Sequence, residues 1–297
     1  MITSAFALAK PQLIGSGKIA LTVIGTTMLV GVLKSREGIG KETVSLVAVI
    51  AVSCCLLQPA GTQVAVAKET VLQLSAYGKL LLPVMTAALA AQGGTATSVA
   101  LYTATVAFDG FLSTLISGLL LPMVYIYLVL AVAHSALDDA MLKRLRNLIK
   151  SIMTWTLKIL LYIFTAYISI SGVVSGAADQ SALKAAKLTI SSMVPVVGSI
   201  LSDASEAVLV GASVVKNTAG IGGTLVVIAI AIVPFFQIGL HYLCLKLTAA
   251  VCALFSEKQI SGLIEDFSSA MGFLLAMTGS MCLIFLVSLV CFLRGVG

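Results

Sequence analysis

Four ionisable residues stand out against an otherwise apolar sequence: Asp109, Asp203, Glu206 and Lys216. Asp109 divides two long uncharged runs, and Asp203 and Glu206, three apart, share one face of any helix that carries them. An ionisable group at membrane depth is costly, and it usually faces a bundle interior or a wet cavity. Two readings stay open: the acids, with Lys216, line a polar path or docking surface, or they are loop residues among lipid headgroups.

No residue pattern spells out covalent chemistry, so no enzyme activity and no cofactor is expected. Gly15-Ser16-Gly17-Lys18 resembles part of a phosphate loop, but Gln12 stands where the first glycine belongs and Ile19 follows the lysine. Gly220, Gly222 and Gly223 lie in an apolar run with no preceding strand, where close helix packing is the simpler use. His134 and His241 have no acid or thiol at ligand spacing, so no metal site is expected. The six cysteines form no C-x-x-C or Cys/His cluster and read as small buried hydrophobes.

The elements that must position these residues are membrane helices. Hydrophobic residues make up 59% of the 297 positions and charged residues 10%, with a mean hydropathy of +1.11. A bilayer crossing needs about 20 mostly apolar residues, and uncharged runs cover 43–67, 80–108, 110–137, 159–178, 217–245 and 267–293. A shorter run, 19–33, reaches spanning length by recruiting Leu13 to Ser16 while Lys18 snorkels. Strand alternation is missing, so backbone amides in lipid are satisfied by helices and the fold class is an all-α integral membrane protein. The net charge of +6 sits in short connections, which speaks for orientation and anionic lipid rather than nucleic acid. The first twelve residues lack the charged start and cleavage site of a signal peptide.

The two most cation-rich connections, Lys34/Arg36/Lys41 and Lys143/Arg144/Arg146/Lys150, are expected on the cytoplasmic side. If 68–79 is then external, the run 80–108 must enter and leave on one side. Its centre, Gln92-Gly93-Gly94-Thr95, is turn-like, and a re-entrant hairpin is expected there. A second hairpin is expected at 188–202, around Pro195 and Gly198. The expectation is thus about six transmembrane helices plus two re-entrant hairpins.

Residues 138–152 put Met141, Leu142, Leu145, Leu148, Ile149 and Ile152 on one face with the cations elsewhere, as an interfacial helix would, or as an extension of the next span. Residues 256–271 do the same with Ile260, Leu263, Ile264, Phe267 and Met271, opening on a capping box, Ser256-x-x-Gln259. Pro122 and Pro234 lie inside spans and are expected to kink them. The pairs Pro83/Pro195, Gly110/Gly222 and Pro122/Pro234 are each 112 residues apart, the spacing of two parallel repeats. A single polytopic membrane domain over 1–297 would then comprise an N-terminal helix pair (13–79) and repeats at 80–178 and 188–293.

From about residue 70 onward the chain resembles the stage III sporulation protein AE family of endospore-forming bacteria. The resemblance rests on Val194-Pro195-Val196-Val197-Gly198, Leu201-Ser202-Asp203-Ala204 and Lys216-Asn217-x-x-Gly220, with Gly93-Gly94 and the basic stretch Lys143 to Lys150. It implies a multi-pass, non-enzymatic, permease-like subunit of the channel or secretion-like apparatus joining mother cell to forespore. It also implies partners: other membrane subunits of the same sporulation operon, a cytoplasmic secretion-type ATPase, and a forespore membrane protein. Members usually carry a signal sequence and an extracytoplasmic stretch before the first span; here that region is about a dozen residues, as in a truncated or lineage-specific start. Two other classes fit the residues, an independent secondary transporter for a small solute or ion, and a membrane assembly or scaffold factor.

Overall fold

The computed structural model describes the backbone over 2–34, 40–92, 95–193, 198–254 and 258–294, and side chains over most of 15–33, 40–92, 99–166 and 217–293. The described elements are all helical: α1 (Ile2–Lys34), α2 (Lys41–Ala91), α3 (Thr95–Leu115), a π-helical segment (Ile116–Leu120), α4 (Leu121–Leu137), α5 (Ala140–Met193), α6 (Gly198–Leu254) and α7 (Lys258–Arg294). Among the described residues six stretches are long and apolar enough to cross a membrane: Gly15–Leu33, Glu42–Ala91, Tyr102–Leu137, Ala140–Ala166, Asn217–Leu254 and Lys258–Val290. This is a multi-pass membrane protein.

The segment 68–79, placed outside the membrane by its charges, is helix, and a buried periodicity runs straight through it: Ala67, Thr70, Val71, Leu74 and Ser75 are buried while Lys68, Glu69 and Lys79 face outward. α2 therefore continues unbroken for 51 residues. Helices end on either side of both expected turns, at Ala91 and Thr95 and at Met193 and Gly198. Gln92 is a turn residue whose N–H bonds the Leu89 carbonyl at 3.2 Å, and α6 begins at Gly198. Gly93, Gly94 and Pro195 lie outside the described residues. The flanking arms are the ends of long helices rather than short helices of their own.

Pro122 sits at the start of α4, directly after the π-helical turn. A proline has no N–H to donate and its ring crowds the carbonyl four residues back; a π turn is one way for a helix to absorb that mismatch. Pro234 lies within α6 with no change of helix type. From Ala140 and from Lys258 onward, the segments 138–152 and 256–271 form the opening turns of spanning helices, the second of the two readings left open for each. Ile260, Leu263, Ile264, Phe267 and Met271 are completely buried, whereas Met141, Leu145, Leu148 and Ile152 are exposed. The proposed capping serine, Ser256, lies outside the described residues, and Gln259 instead accepts a hydrogen bond from the Ser45 hydroxyl.

Two compact units emerge, each assembled from separated stretches of chain. The first comprises Met1–Val71, Thr114–Lys158 and Ala231–Gly279; the second comprises Leu72–Ser113, Ile159–Ile230 and Ser280–Gly297.

In the first unit, α4 hands over to α5 within two residues. Asp138 closes α4 in the left-handed region (φ 50°), its N–H bonding the His134 carbonyl at 2.8 Å; aspartate is among the few non-glycine residues that tolerate that conformation. Asp139 then accepts the Met141 N–H at 2.8 Å, capping α5. α6 and α7 run antiparallel: the Ser261 hydroxyl donates to the Ala249 carbonyl at 3.0 Å and the Ser268 hydroxyl to the Tyr242 carbonyl at 3.3 Å. α1 runs parallel to α6, because Ser16 Oγ meets His241 Nδ1 at 3.1 Å and Thr27 Oγ1 meets Cys252 Sγ at 3.4 Å, eleven residues further along both chains. Thr27 already donates its proton to the Val23 carbonyl, so the Cys252 thiol is the donor to it. Ser16, Val23, Thr27 and Val30 on α1 are buried seven, four and three residues apart, and Ile238, His241, Leu245, Thr248 and Cys252 on α6 three and four apart, the periodicity of a coiled-coil seam. Together these pairings gather the ends of α1, α4 and α6 and the starts of α2, α5 and α7 at one end of the unit.

That packing is open to direct test. Thr27→Cys is expected to form a disulfide with the native Cys252 under mild oxidation. The measurement is a reducible gel shift after proteolysis between residues 34 and 198. No cross-link at Thr27, with an efficient one from an exposed α1 position such as Leu21→Cys, would rule out the parallel seam.

Candidate functional site

The polar interior of the second unit centres on Asp109. α3 places Thr105, Asp109 and Ser113 at four-residue intervals on one face, and all three are buried, Asp109 to 3% exposure. α2 brings Ser75, whose hydroxyl donates to Asp109 Oδ2 at 3.0 Å. α7 brings Ser288, which accepts a hydrogen bond from the Thr105 hydroxyl at 2.9 Å. Asp109 Oδ1 is buried and has no hydrogen-bond partner among the described residues. The surroundings are apolar: Phe108 packs edge-on against Phe164 with ring centroids 5.2 Å apart, and Leu74, Leu112 and Phe285 are fully buried.

Glycines let the helices close around this seam. A Cβ on Gly78 would fall 2.2 Å from the Phe285 ring, one on Gly220 2.4 Å from Leu293, and one on Gly223 2.6 Å from Leu81. The packing role expected for Gly220 and Gly223 is therefore seen, while Gly222 faces open space. Gly78, one turn from Ser75, carried no sequence signal.

The first unit holds a separate ionic network. Asp266 on α7, nearly buried, accepts hydrogen bonds from the Tyr127 hydroxyl of α4 at 2.9 Å and from the Arg146 guanidinium of α5. Tyr127 is fully buried and stands edge-on to Phe273 at 5.8 Å. Arg146 also reaches Asn147 at 3.2 Å, and its Nε is buried without a partner among the described residues. Lys150 donates to Ser269 at 3.3 Å. Lys246 and Glu265 pair at 2.9 Å, both half exposed.

The four basic residues first grouped together thus divide: Arg146 turns inward to Asp266, while Lys143, Arg144 and Lys150 are exposed. Asp203, Glu206 and Lys216 fall within α6, with side chains outside those described. Ser16, in the rejected phosphate-loop stretch, is buried in α1 against His241. Chemically, the Asp109 seam is a set of hard oxygen donors, one carboxyl and three hydroxyls, with no imidazole or thiol among the groups that bond there.

Residues 3–295 match the family model described as stage III sporulation protein AE. The stage III sporulation protein AE of Bacillus subtilis (strain 168) is 24% identical over 283 residues, covering 94% of this chain and 71% of that protein. No solved structure matches the chain.

Proposed function

Because this chain belongs to the stage III sporulation protein AE family, we propose that it is a permease-like, non-enzymatic subunit of a transport or secretion apparatus joining mother cell and forespore. The observation that carries the reading is the Asp109 seam: a carboxyl group and hydroxyls held inside membrane helices, where burying polar groups is costly unless they serve a path or a ligand. The protein resides in the mother-cell membrane facing the forespore. At its basic end, exposed Lys143, Arg144 and Lys150 and the exposed apolar stripe Met141/Leu145/Leu148/Ile152 are suited to anionic lipid and to a cytoplasmic secretion-type ATPase. Other membrane subunits of the operon and a forespore membrane protein complete the apparatus.

The test is genetic and biochemical together. In an endospore-forming host that depends on this gene, Asp109→Asn is expected to abolish spore formation while the protein still accumulates in the membrane fraction. Ser75→Ala is expected to lower spore yield less. Full sporulation with Asp109→Asn would refute a working role for the seam. A purified protein that transports a solute in liposomes without its operon partners would point instead to an independent transporter.

A further inference from the structure

We propose that Asp109, with the hydroxyls of Ser75, Thr105 and Ser288, forms a binding site for a monovalent alkali cation of the sodium class. Asp109 Oδ2 takes the Ser75 proton, but Oδ1 is buried with no donor among the described residues. A buried carboxyl group finds a donor, a countercharge or a metal ion, or else takes up a proton and stays neutral. The oxygens at hand in this otherwise apolar setting are few: Ser75 keeps its lone pairs while donating to Oδ2, and Thr105, one turn before Asp109 on α3, bonds Ser288. Hard oxygen donors select hard cations and disfavour zinc, copper or iron.

Charge sets the valence. One carboxylate neutralises one positive charge, and no group of three His, Cys, Asp or Glu able to hold a metal occurs among the described residues. Calcium usually gathers six to eight oxygens, several of them carboxylates, and magnesium demands a near-octahedral shell and keeps much of its water. A buried seam with a single acid meets neither demand. Among the described residues the charged neighbour in reach is Lys79, a turn beyond Ser75 on α2 and exposed. Its ammonium is the rival occupant for the same negative charge.

The site concerns binding alone and does not depend on the channel reading, so its test uses the isolated protein. The thermal midpoint of the purified chain in detergent is followed as sodium chloride replaces choline chloride at constant ionic strength. A ligand that binds only the folded state raises the midpoint with concentration. The wild-type midpoint is expected to climb with sodium, Asp109→Asn to give a flat response, and Ser75→Ala to need more sodium for the same rise. Identical wild-type midpoints in sodium and choline would overturn the proposal, as would a sodium response that survives in Asp109→Asn. If Lys79→Gln were sodium-sensitive and the wild type were not, Lys79 would be the native countercharge and the cation site would be refuted. Should Asp109→Asn fail to fold, the wild-type titration and Ser288→Ala still decide the matter.

Discussion

Asp266→Ala is expected to destabilise this protein by about 3–5 kcal/mol, because removing one member of a buried pair leaves the other charge without compensation. Here the stranded group would be Arg146, whose guanidinium lies between α5 and α7 and whose Nε is already buried without a partner. The Tyr127 hydroxyl would lose its acceptor at the same stroke. A drop in thermal midpoint of the detergent-purified protein would measure the effect. Glu265→Ala is the control: its pair with Lys246 is half exposed on both sides, and such pairs contribute about 0–1 kcal/mol. Replacing both partners, as in Arg146→Met with Asp266→Leu, is expected to recover most of the loss, since a well-packed apolar pair can equal a buried ionic one. If Asp266→Ala cost no more than Glu265→Ala, the network would be a surface feature and its burial would be misread.

The second large effect is steric. Gly78→Ala would place a methyl group 2.2 Å from the Phe285 ring, which is itself fully buried and has little room to turn. Overpacking of this kind costs about 1–3 kcal/mol and sometimes more, and Gly78→Val should exceed Gly78→Ala. Phe285→Ala alone leaves a cavity, at a cost of about 3–5 kcal/mol. The pair Gly78→Val with Phe285→Ala should be less damaging than the sum of its parts, because the added bulk fills part of the vacated volume. Gly222→Ala, with nothing within 4 Å of its Cβ position, should be close to neutral. Strict additivity of the double substitution would mean that α2 and α7 do not meet at this point.

Much of this architecture was legible in the sequence, and the family resemblance was carried by a few short stretches. Uncharged runs such as 110–137 and 217–245 each lie within a continuous helical stretch, because the absence of charge over twenty residues is itself the physical requirement for lying in lipid. The reading failed where charges fall on a helix without ending it: Lys68, Glu69 and Lys79 lie on the exposed side of α2, and a charge count cannot see which side that is. Asp109 was conspicuous by rarity. Ser75, Thr105 and Ser288 were not, since hydroxyl residues are common in such helices and many, including Thr70, Thr86 and Thr224, simply bond the carbonyl four residues back. Which hydroxyl turns to a neighbour is decided by helix rotation, a tertiary property. Arg146 was grouped with its exposed neighbours because its partner lies 120 residues away.

The pairing of α1 with α6 carries a further consequence. An apolar seam of evenly sized side chains could slide by one heptad, about 10 Å along the axis, and repack nearly as well. Ser16–His241 and Thr27–Cys252 forbid it. Slipped by seven residues, Val23 would face His241 and Thr27 would face Leu245, stranding buried polar groups at about 1–3 kcal/mol each. Two weak polar contacts thus act as index pins, fixing how deep the first helix sits before any lipid or partner has a say.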